Sequence, residues 1–223
     1  MAGESSKEDV RREPVCHVVC AGPGQQTRID VQAEDFVIAA DGGFRTCKEA
    51  GIVPDLLIGD FDSLAQGDCP ADCCPCVRLP VEKDDTDTVA ALKEGLRRGF
   101  TCFELHAALG GDVGHELANL QALLFLREHG ARGTLHGQGQ RVVTVAPQDG
   151  EVTFPAVPGM RVSVFAFGGD AHGVCERGLK WELEDADLAQ SFPLGVSNEA
   201  LGTRIQLRVG AGLLLVVLGQ HAR

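Results

Sequence analysis

Between Cys16 and Gly137 the sequence alternates short apolar runs with segments of helical pattern. The apolar runs are CHVVCAGP, DFVIAADGG, PDLLIGD, CVRLPV, TCFELHAALGG and GTLHG. The helical segments are FRTCKEAG, DTDTVAALKEGLRRG and HELANLQALLFLREHG. Continuous apolar strands separated by helices are typical of a parallel sheet that is covered on both faces. Such sheets bind ligands beyond the carboxyl ends of their strands, so we expect the site there.

The pattern changes after residue 137. Short alternating runs with Gly and Pro between them follow, among them RVVTVAP, GEVTFPAV, RVSVFAFGG, GVCERGLKWEL, TRIQLRVGAG and LLLVVLG. This pattern predicts an antiparallel sandwich or barrel. We therefore predict an α/β fold in which a parallel-sheet domain (residues 16–137) is followed by an all-β sandwich domain (residues 138–223). Residues 1–15 are charged and polar and are predicted to be a disordered leader.

The charge balance argues against a nucleic-acid-binding surface. The 223 residues carry a formal net charge of -12, from 32 acidic residues against 20 Lys and Arg, whereas phosphate neutralisation needs clustered basic side chains. The leader lacks the apolar segment of a secretory signal, and no apolar run approaches the roughly 18 residues of a membrane span. We therefore expect a cytoplasmic protein that binds neither nucleic acid nor membrane.

Cysteines are numerous for a chain without a secretory signal. Nine are present, and in a reducing cytosol they are expected to be free thiols. Four lie in CPADCCPC: Cys69, Cys73, Cys74 and Cys76. Their spacing matches no paired C-x-x-C pattern, and the prolines within the segment indicate a loop. We predict reduced thiols here rather than a zinc site.

Two groups of aspartates carry the chemistry. In LLIGDFDSL, Asp60 and Asp62 follow an apolar strand and would point to one face of an extended chain. In KDDTD, Asp84 and Asp87 are three residues apart at a helix start, beside Lys83. Acids are also common in turns and at helix N-termini. Because both groups occur in one sheet-containing domain, we interpret them as a site for Mg²⁺ and phosphate.

Several segments resemble one known family. ADGGFRTCKEAGIVPDLLIGDFDSL, EKDDTDTVAAL and LGGDVGHELANLQALL resemble the thiamin pyrophosphokinase family, and GLKWEL and GVSNEALGTRI resemble its thiamin-binding strands. The resemblance extends over about residues 16–219. It implies transfer of the terminal pyrophosphate of ATP to the hydroxyl of thiamin, with Mg²⁺ as cofactor and AMP as product. The first domain would bind the nucleotide, and the second would bind thiamin.

The resemblance also implies roles for individual residues. The acids around Mg²⁺ and the triphosphate would be Asp60, Asp62, Asp84 and Asp87. The catalytic residues would be Asp62, Asp87 and Lys83, with Lys83 near the phosphates and Asp62 or Asp87 accepting the hydroxyl proton. The nucleotide would be lined by Asp41, Gly42, Gly43, Gly110, Gly111, His115 and Asn119. The thiamin pocket would include Trp181, Ser197 and Asn198, although Trp181 could instead be a core residue of the sandwich.

Assembly is the last expectation from the sequence. A small sandwich has a limited core, and its edges are commonly covered by a second copy. The family resemblance likewise implies a homodimer with active sites between subunits. We expect each site to combine the aspartates of one chain with the Ser197 region of the other.

The chain departs from the family pattern after the fifth strand. The family has Gly-Gly-Arg-x-x-Asp-His or a close relative, whereas this chain has GGDVGHE, so Asp112 replaces a base and Gly114 an acid. An acid near a triphosphate adds repulsion, and Arg45 is a candidate to replace the lost base. Two alternatives stay open: a pyrophosphokinase for another alcohol, such as a pterin, or a non-catalytic nucleotide or thiamin binder. The four retained acids argue against the binder.

Overall fold

The structure is a computed structural model that describes residues 12–23, 29–61, 74–80 and 84–221. The elements of the first half are β1 (Val15–Val19), β2 (Phe36–Ala40), α1 (Gly43–Ala50), β3 (Leu56–Gly59), β4 (Cys76–Arg78), α2 (Asp87–Arg97), β5 (Cys102–His106), α3 (Val113–Glu128) and β6 (Arg132–Gly137). Those of the second half are β7 (Gln140–Val145), a 3₁₀ turn (Pro147–Asp149), β8 (Val152–Pro155), β9 (Met160–Ala166), β10 (Ala171–Arg177), β11 (Leu183–Leu188), β12 (Gly195–Glu199), β13 (Arg204–Arg208) and β14 (Leu214–His221).

The first six strands pair in parallel, in the order β6-β5-β1-β2-β3-β4. Their central members are apolar at nearly every position because helices cover both faces. Helices α2 and α3 pack over a core that includes Leu92, Phe103 and Leu123. Helix α1 covers the opposite face, where Phe44 packs in a cluster with Val19. The parallel sheet predicted from the sequence is therefore present.

Strands β6 and β7 form a hairpin that continues this sheet. Gly137 pairs with Gln140, and antiparallel β14, β9 and β12 follow, so that one sheet of ten strands runs through both halves. A separate antiparallel sheet has the order β11-β10-β13-β8. A second apolar core, which includes Val162, Leu207 and Leu214, fills the space between the two layers.

The fold is therefore mixed α/β, with one large sheet and one separate antiparallel sheet. The predicted sandwich shares one of its layers with the ten-stranded sheet, and the proposed division at residue 137 falls in the β6–β7 hairpin. Residues 12–15, assigned from the sequence to the leader, belong to the folded chain, because β1 begins at Val15 and Arg12 forms an ion pair with Asp35 at 2.9 Å. Within the described ranges, no helix is long and apolar enough to cross a membrane.

Candidate active site

A cavity of about 490 Å³ lies at the carboxyl ends of β5, β1 and β2. The chain runs outward from β1 to β4 and returns to place β5 on the other side of β1. This reversal of strand order is where open α/β sheets bind ligands. The lining comes from residues 20–23, 40–42 and 107–109, together with the first turns of α2 and α3. The cavity therefore lies at the strand ends where the sequence predicts a site.

The turn from β2 into α1 forms one wall. Asp41 has a positive φ of 43°, and its N–H donates to the carbonyl of Ile58 at 2.7 Å. A Cβ on Gly43 would lie 1.9 Å from the carbonyl oxygen of Val19, so only glycine allows this close approach. Asp41 and Gly42 line the cavity. Gly43 stands behind them and lets α1 pack tightly against β1.

Asp60 follows β3 beside this turn. A Cβ on Gly59 would lie 2.9 Å from the Cα of Asp41, so the two strand ends are in contact. Asp60 therefore neighbours the cavity wall, although it is not one of the lining residues. Asp62 lies outside the described residues, and its place beside Asp60 stays a prediction. In the part of the chain that the structure describes, no three His, Cys, Asp or Glu side chains are grouped to bind one metal ion.

Helix α2 contributes the second acidic group. Its N-cap is Thr86, whose hydroxyl accepts a hydrogen bond from the N–H of Val89 at 3.2 Å. Asp87 is the first helical residue and lines the cavity, whereas Asp84 is exposed and precedes the helix. Because Thr86 is extended, Asp84 and Asp87 do not share the helical face predicted for them. Lys83 lies outside the described residues.

Helix α3 begins after Asp112, at a position where the resemblance implies a base. Asp112 is the N-cap, and its Oδ1 accepts hydrogen bonds from the N–H groups of Gly114 at 2.9 Å and His115 at 3.3 Å. The carboxylate of Glu116 accepts a hydrogen bond from the N–H of Gly110, whose φ is 89°. Asp112 therefore has a structural function, since it satisfies two N–H groups that would otherwise be open at the helix start.

Three more predicted residues line the cavity from the α3 side: Gly111, His115 and Asn119. The side-chain amide of Asn119 donates to the carbonyl of Ala108 at 2.9 Å. This hydrogen bond ties the loop after β5 to α3, which leaves the carbonyl oxygen of the Asn119 amide for other partners. Gly110 stands behind Gly111 and is not itself part of the lining.

The lining of the cavity is acidic. Its carboxylates belong to Asp41, Asp87, Asp112 and Glu116. Among the described residues, no Lys or Arg lines it. Arg45, the candidate for a replacement base, is exposed on α1 and is not in the lining. The described part of the lining therefore offers a polyphosphate no compensating positive charge.

A buried histidine pair supports the loop after β5. His106 is the last residue of β5, and its Nε2 lies 3.0 Å from Nδ1 of His17, whose Nε2 lies 3.2 Å from the carboxylate of Asp35. An ionised Asp35 accepts from His17, which in turn accepts from His106. Burial, helped by His136 and His17, lowers the pKa of His106 to about 3. His106 is therefore neutral at ordinary pH, and it directly precedes Ala107 at the cavity wall.

The residues implied for thiamin lie together around β12. The side-chain amide of Asn198 accepts from the N–H of Trp181 at 3.1 Å and donates to its carbonyl at 2.7 Å. The Trp181 side chain is 59% exposed, so the alternative of a core tryptophan is wrong. Ser197 has a φ of 60° at a bulge in β12, and its hydroxyl accepts from Arg161 at 2.7 Å.

This second group does not line the cavity of its own chain. β12 is the edge strand of the large sheet, and six strand spacings separate it from β1. At about 4.8 Å per spacing, the separation along the sheet is roughly 29 Å. The structure therefore brings together Asp41, Gly42, Asp87, Gly111, His115 and Asn119, but holds Trp181, Ser197 and Asn198 far from them.

Some lining residues were not singled out from the sequence. They are small or apolar residues that follow β1 and β5, together with two threonines at the start of α2. One of them is Cys20, whose sulfur lies 3.6 Å from the hydroxyl of Thr88 and whose pKa burial raises to about 11. The Gly-Pro that ends the first apolar run could have indicated these residues. It marks the end of a strand, and a strand end at the reversal of strand order borders the cavity.

Two sequence-family models match the chain. Residues 30–134 match the catalytic domain of thiamin pyrophosphokinase, and residues 150–214 match its vitamin B1 binding domain. The chain belongs to the thiamin pyrophosphokinase family. The first match covers β2 to β5 and helices α1 to α3 around the cavity, and the second covers β8 to β13 with the Trp181 and Asn198 group.

Relatives in this family are distant in sequence but similar in fold. A thiamine pyrophosphokinase of Bacillus subtilis is 26% identical over 184 residues, which are 81% of this chain and 85% of the relative. A crystal structure of the B. subtilis enzyme has a TM-score of 0.81 at 23% identity, covering 93% of this chain and 100% of the other. The Candida albicans thiamin pyrophosphokinase has a TM-score of 0.71 at 13% identity, covering 93% and 90%.

Proposed function

We propose that this protein is a thiamin pyrophosphokinase, which transfers pyrophosphate from ATP to the hydroxyl of thiamin and releases AMP. The observation that most directly supports this proposal is that both halves of the chain match the two domains of this family. The cavity gives the proposal a physical basis. It lies at the reversal of strand order, where nucleotides bind in open α/β sheets, and the N-termini of two helices border it.

Mg²⁺ is part of the proposal, and the donor set fits it. Mg²⁺ usually binds one or two carboxylates and completes its shell with water and substrate phosphates. Asp87 lines the cavity and Asp60 neighbours its wall, and we place Asp62 and Asp84 with them as predicted ligands. When bound, Mg²⁺ would neutralise phosphate oxygens that the acidic lining cannot. This agrees with the absence of Lys and Arg from the described lining.

For this reaction the protein must position the two substrates and supply one proton acceptor. The hydroxyl oxygen of thiamin attacks the β-phosphorus, the bond from that phosphorus to the α–β bridging oxygen breaks, and AMP leaves. The hydroxyl proton passes to a carboxylate, for which Asp87 and Asp62 are the candidates. The N–H groups at the start of α2 that Thr86 does not cap would orient the phosphates, and Asp41 and Asn119 would contact the nucleoside side of the cavity.

The direct test is an assay for AMP and thiamin diphosphate after incubation with MgATP and thiamin. Asp87→Asn should lower turnover at least ~100-fold, as expected when a charged group that acts on the reacting atoms is neutralised. Asp85→Asn is the matched control, because Asp85 forms an ion pair with Lys93 at 2.7 Å and is not part of the cavity lining. Activity on a pterin alcohol but not on thiamin would replace the substrate in this proposal.

A homodimer with shared sites is also part of the proposal. The separation of roughly 29 Å along the sheet supports it, because Trp181 cannot reach the cavity of its own chain by local movement. Strand β12 is a sheet edge, and the large apolar side chains near it, including Phe192, Leu194 and Val196, are exposed. Edges and apolar patches of this kind are commonly covered by a partner.

Complementation tests the shared site. An Asp87→Asn chain and a Trp181→Ala chain, each inactive alone, are mixed under conditions of subunit exchange. Half of the resulting dimers would be hybrids with one intact site each, so about a quarter of wild-type activity should return. No recovery despite proven exchange, or a monomer by light scattering, would contradict the shared site without affecting the assignment of the reaction.

The cellular location is a smaller part of the proposal. Cys16, Cys20, Cys47, Cys102 and Cys175 are free cysteines in the structure, and we propose a reducing, cytoplasmic compartment, in which thiols stay free. Cys69 and Cys73 of the CPADCCPC segment lie outside the described residues. We keep the prediction that this segment binds no zinc, which elemental analysis of the purified protein can check.

A further inference from the structure

One acidic side chain is buried in the core between the two sheets. Glu176 is 1% exposed, and its register partners are Leu183 on β11 and Leu207 on β13. Its Oε1 has no hydrogen-bond partner among the described residues, and its Oε2 lies 3.4 Å from the amide nitrogen of Asn198. Burial therefore raises the pKa of Glu176 to about 7, although the contact with Asn198 opposes the rise. Ionisation of such a poorly solvated carboxyl group is costly.

Asn198 connects Glu176 to the exposed tryptophan. Its amide nitrogen donates to the carbonyl of Trp181 at 2.7 Å and turns its other hydrogen toward Glu176. Its amide oxygen accepts from the N–H groups of Trp181 at 3.1 Å and of Glu199 at 2.9 Å. All the hydrogen-bonding groups of this amide are used within the protein. Asn198 is therefore a positioning residue, and the charge on Glu176 acts on the segment that carries Trp181.

The charged groups around Glu176 are engaged elsewhere. The adjacent Arg177 on β10 forms ion pairs with Glu182 and Glu184. On β9, which pairs with β12, Arg161 donates to Ser197. These contacts leave Glu176 without a compensating charge among the described residues. A positive charge brought close to it would therefore favour its ionised form.

The exposed ring of Trp181 can bind a positive charge. The Lys180 ammonium lies 4.9 Å from the centroid of the indole ring, a distance at which a cation is attracted to the face of an aromatic ring. Most of the ring is exposed, so a cationic heteroaromatic ligand could take the place of the lysine. The Asn198 amide contacts both residues: the backbone of Trp181 through two hydrogen bonds and the carboxyl group of Glu176 at 3.4 Å.

We propose that Glu176, acting through Asn198, positions Trp181 and selects a positively charged aromatic alcohol over a neutral one. The inference rests on the proposed function, because the alcohol is taken to stack on Trp181. When the cation binds, it stabilises the ionised carboxylate, so binding releases a proton from Glu176. Affinity for a cationic alcohol should therefore rise as the pH rises through neutrality, whereas affinity for a neutral alcohol should not.

Fluorescence gives a direct test, because Trp181 is the single tryptophan of the chain. Thiamin is titrated into the protein at pH 6 and pH 8, in parallel with an analogue whose thiazolium is replaced by a neutral thiophene. For the wild type, the Kd for thiamin should be roughly tenfold lower at pH 8, and the Kd for the analogue should not change. The wild-type protein alone can thus overturn the proposal, if both ligands show the same pH dependence.

The variant and its control add a kinetic readout. Glu176→Gln should show a Kd and a KM for thiamin that no longer change with pH, with KM for ATP and kcat unaltered. Glu151→Gln is the matched control and should behave as the wild type, because Glu151 is exposed in the same half and accepts from the Gln206 side chain. An unchanged pH dependence in Glu176→Gln would overturn the inference. Absence of both thiamin binding and AMP formation in the wild type would instead overturn the proposed function.

Discussion

Each half of the molecule buries a carboxyl group, but the pKa is lowered in one half and raised in the other. Asp35, beside the parallel strands, has a side chain with no exposed surface, yet its pKa is about 2. Burial raises that pKa, but hydrogen bonds from the N–H groups of Gln32 and Val15 and from the side chains of Arg12 and His17 outweigh it. Glu176, in the antiparallel half, has one long contact with an amide, and its pKa rises to about 7.

The difference shows that burial alone does not decide the charge of an acid. Asp35 lies where a strand begins, and the open N–H groups of the chain there act as donors. Glu176 is flanked by Leu183 and Leu207 on the neighbouring strands, and the core around it is apolar. A buried acid with several hydrogen-bond donors is therefore stabilised as an anion, whereas a buried acid with one long contact is destabilised as one.

The largest expected effect concerns stability at neutral pH. The pKa of Glu176 is raised in the folded state, so its contribution is complete below the unfolded value of 4.5 and is lost as the pH rises through about 7. Between about pH 5 and 8 the free energy of unfolding of the wild type should fall by about 3 kcal/mol relative to Glu176→Gln. Urea unfolding of both proteins across this range measures the difference. If their free energies of unfolding changed with pH in parallel, the proposed contrast between Glu176 and Asp35 would be wrong.

A smaller effect of opposite sign is expected for Asp35. Its pKa is lowered in the folded state, so its contribution is complete above the unfolded value of 3.8 and is lost as the pH falls through about 2. Asp35→Asn should lower the free energy of unfolding by about 2 kcal/mol at pH 7, and the difference should shrink between about pH 4 and 2. Asp30→Asn is the control, since Asp30 is exposed and accepts from the exposed Gln32 side chain.

The smallest expected effect concerns Asp112, an exposed acid that can be compared with the two buried ones. Asp112 caps α3 through the N–H groups of Gly114 and His115, so Asp112→Ala should cost about 1 kcal/mol in unfolding free energy. Asp112→Asn keeps a capping oxygen and should stay within about 0.5 kcal/mol of the wild type. Because it removes a negative charge from the cavity, it should also lower KM for MgATP. A rise in that KM would show that the carboxylate assists binding.

The parallel half was largely predictable because its signals are local. Each strand is a continuous apolar run, and the helices end at glycines such as Gly51, where a left-handed residue completes the cap. The cavity residues Asp41, Gly42 and Gly111 follow from the rule that ligands bind at strand ends. The helix start at Thr86 was less accessible, because threonine and aspartate cap helices almost equally well and three aspartates surround it.

The antiparallel half was less predictable because its arrangement depends on contacts distant in sequence. Alternating patterns predict strands, but they do not state that β7 pairs with β14 and so extends the parallel sheet. Trp181 could not be placed from composition, since its exposure depends on the Asn198 amide, 17 residues away. Glu176 carried no signal, because a glutamate in an alternating strand normally indicates the solvent face.

The ten-stranded sheet has a mechanical consequence. The β6–β7 ladder joins the halves through backbone hydrogen bonds from Thr134 to Gln140, and a rigid rotation of one half against the other would have to break them. Two-domain kinases commonly enclose their substrates by such a hinge rotation. In this protein the continuous sheet opposes such a rotation. Exclusion of water from the reacting phosphates must then come from loop movement or, in the proposed homodimer, from the second subunit, so ligand binding should change the radius of gyration of the protein very little.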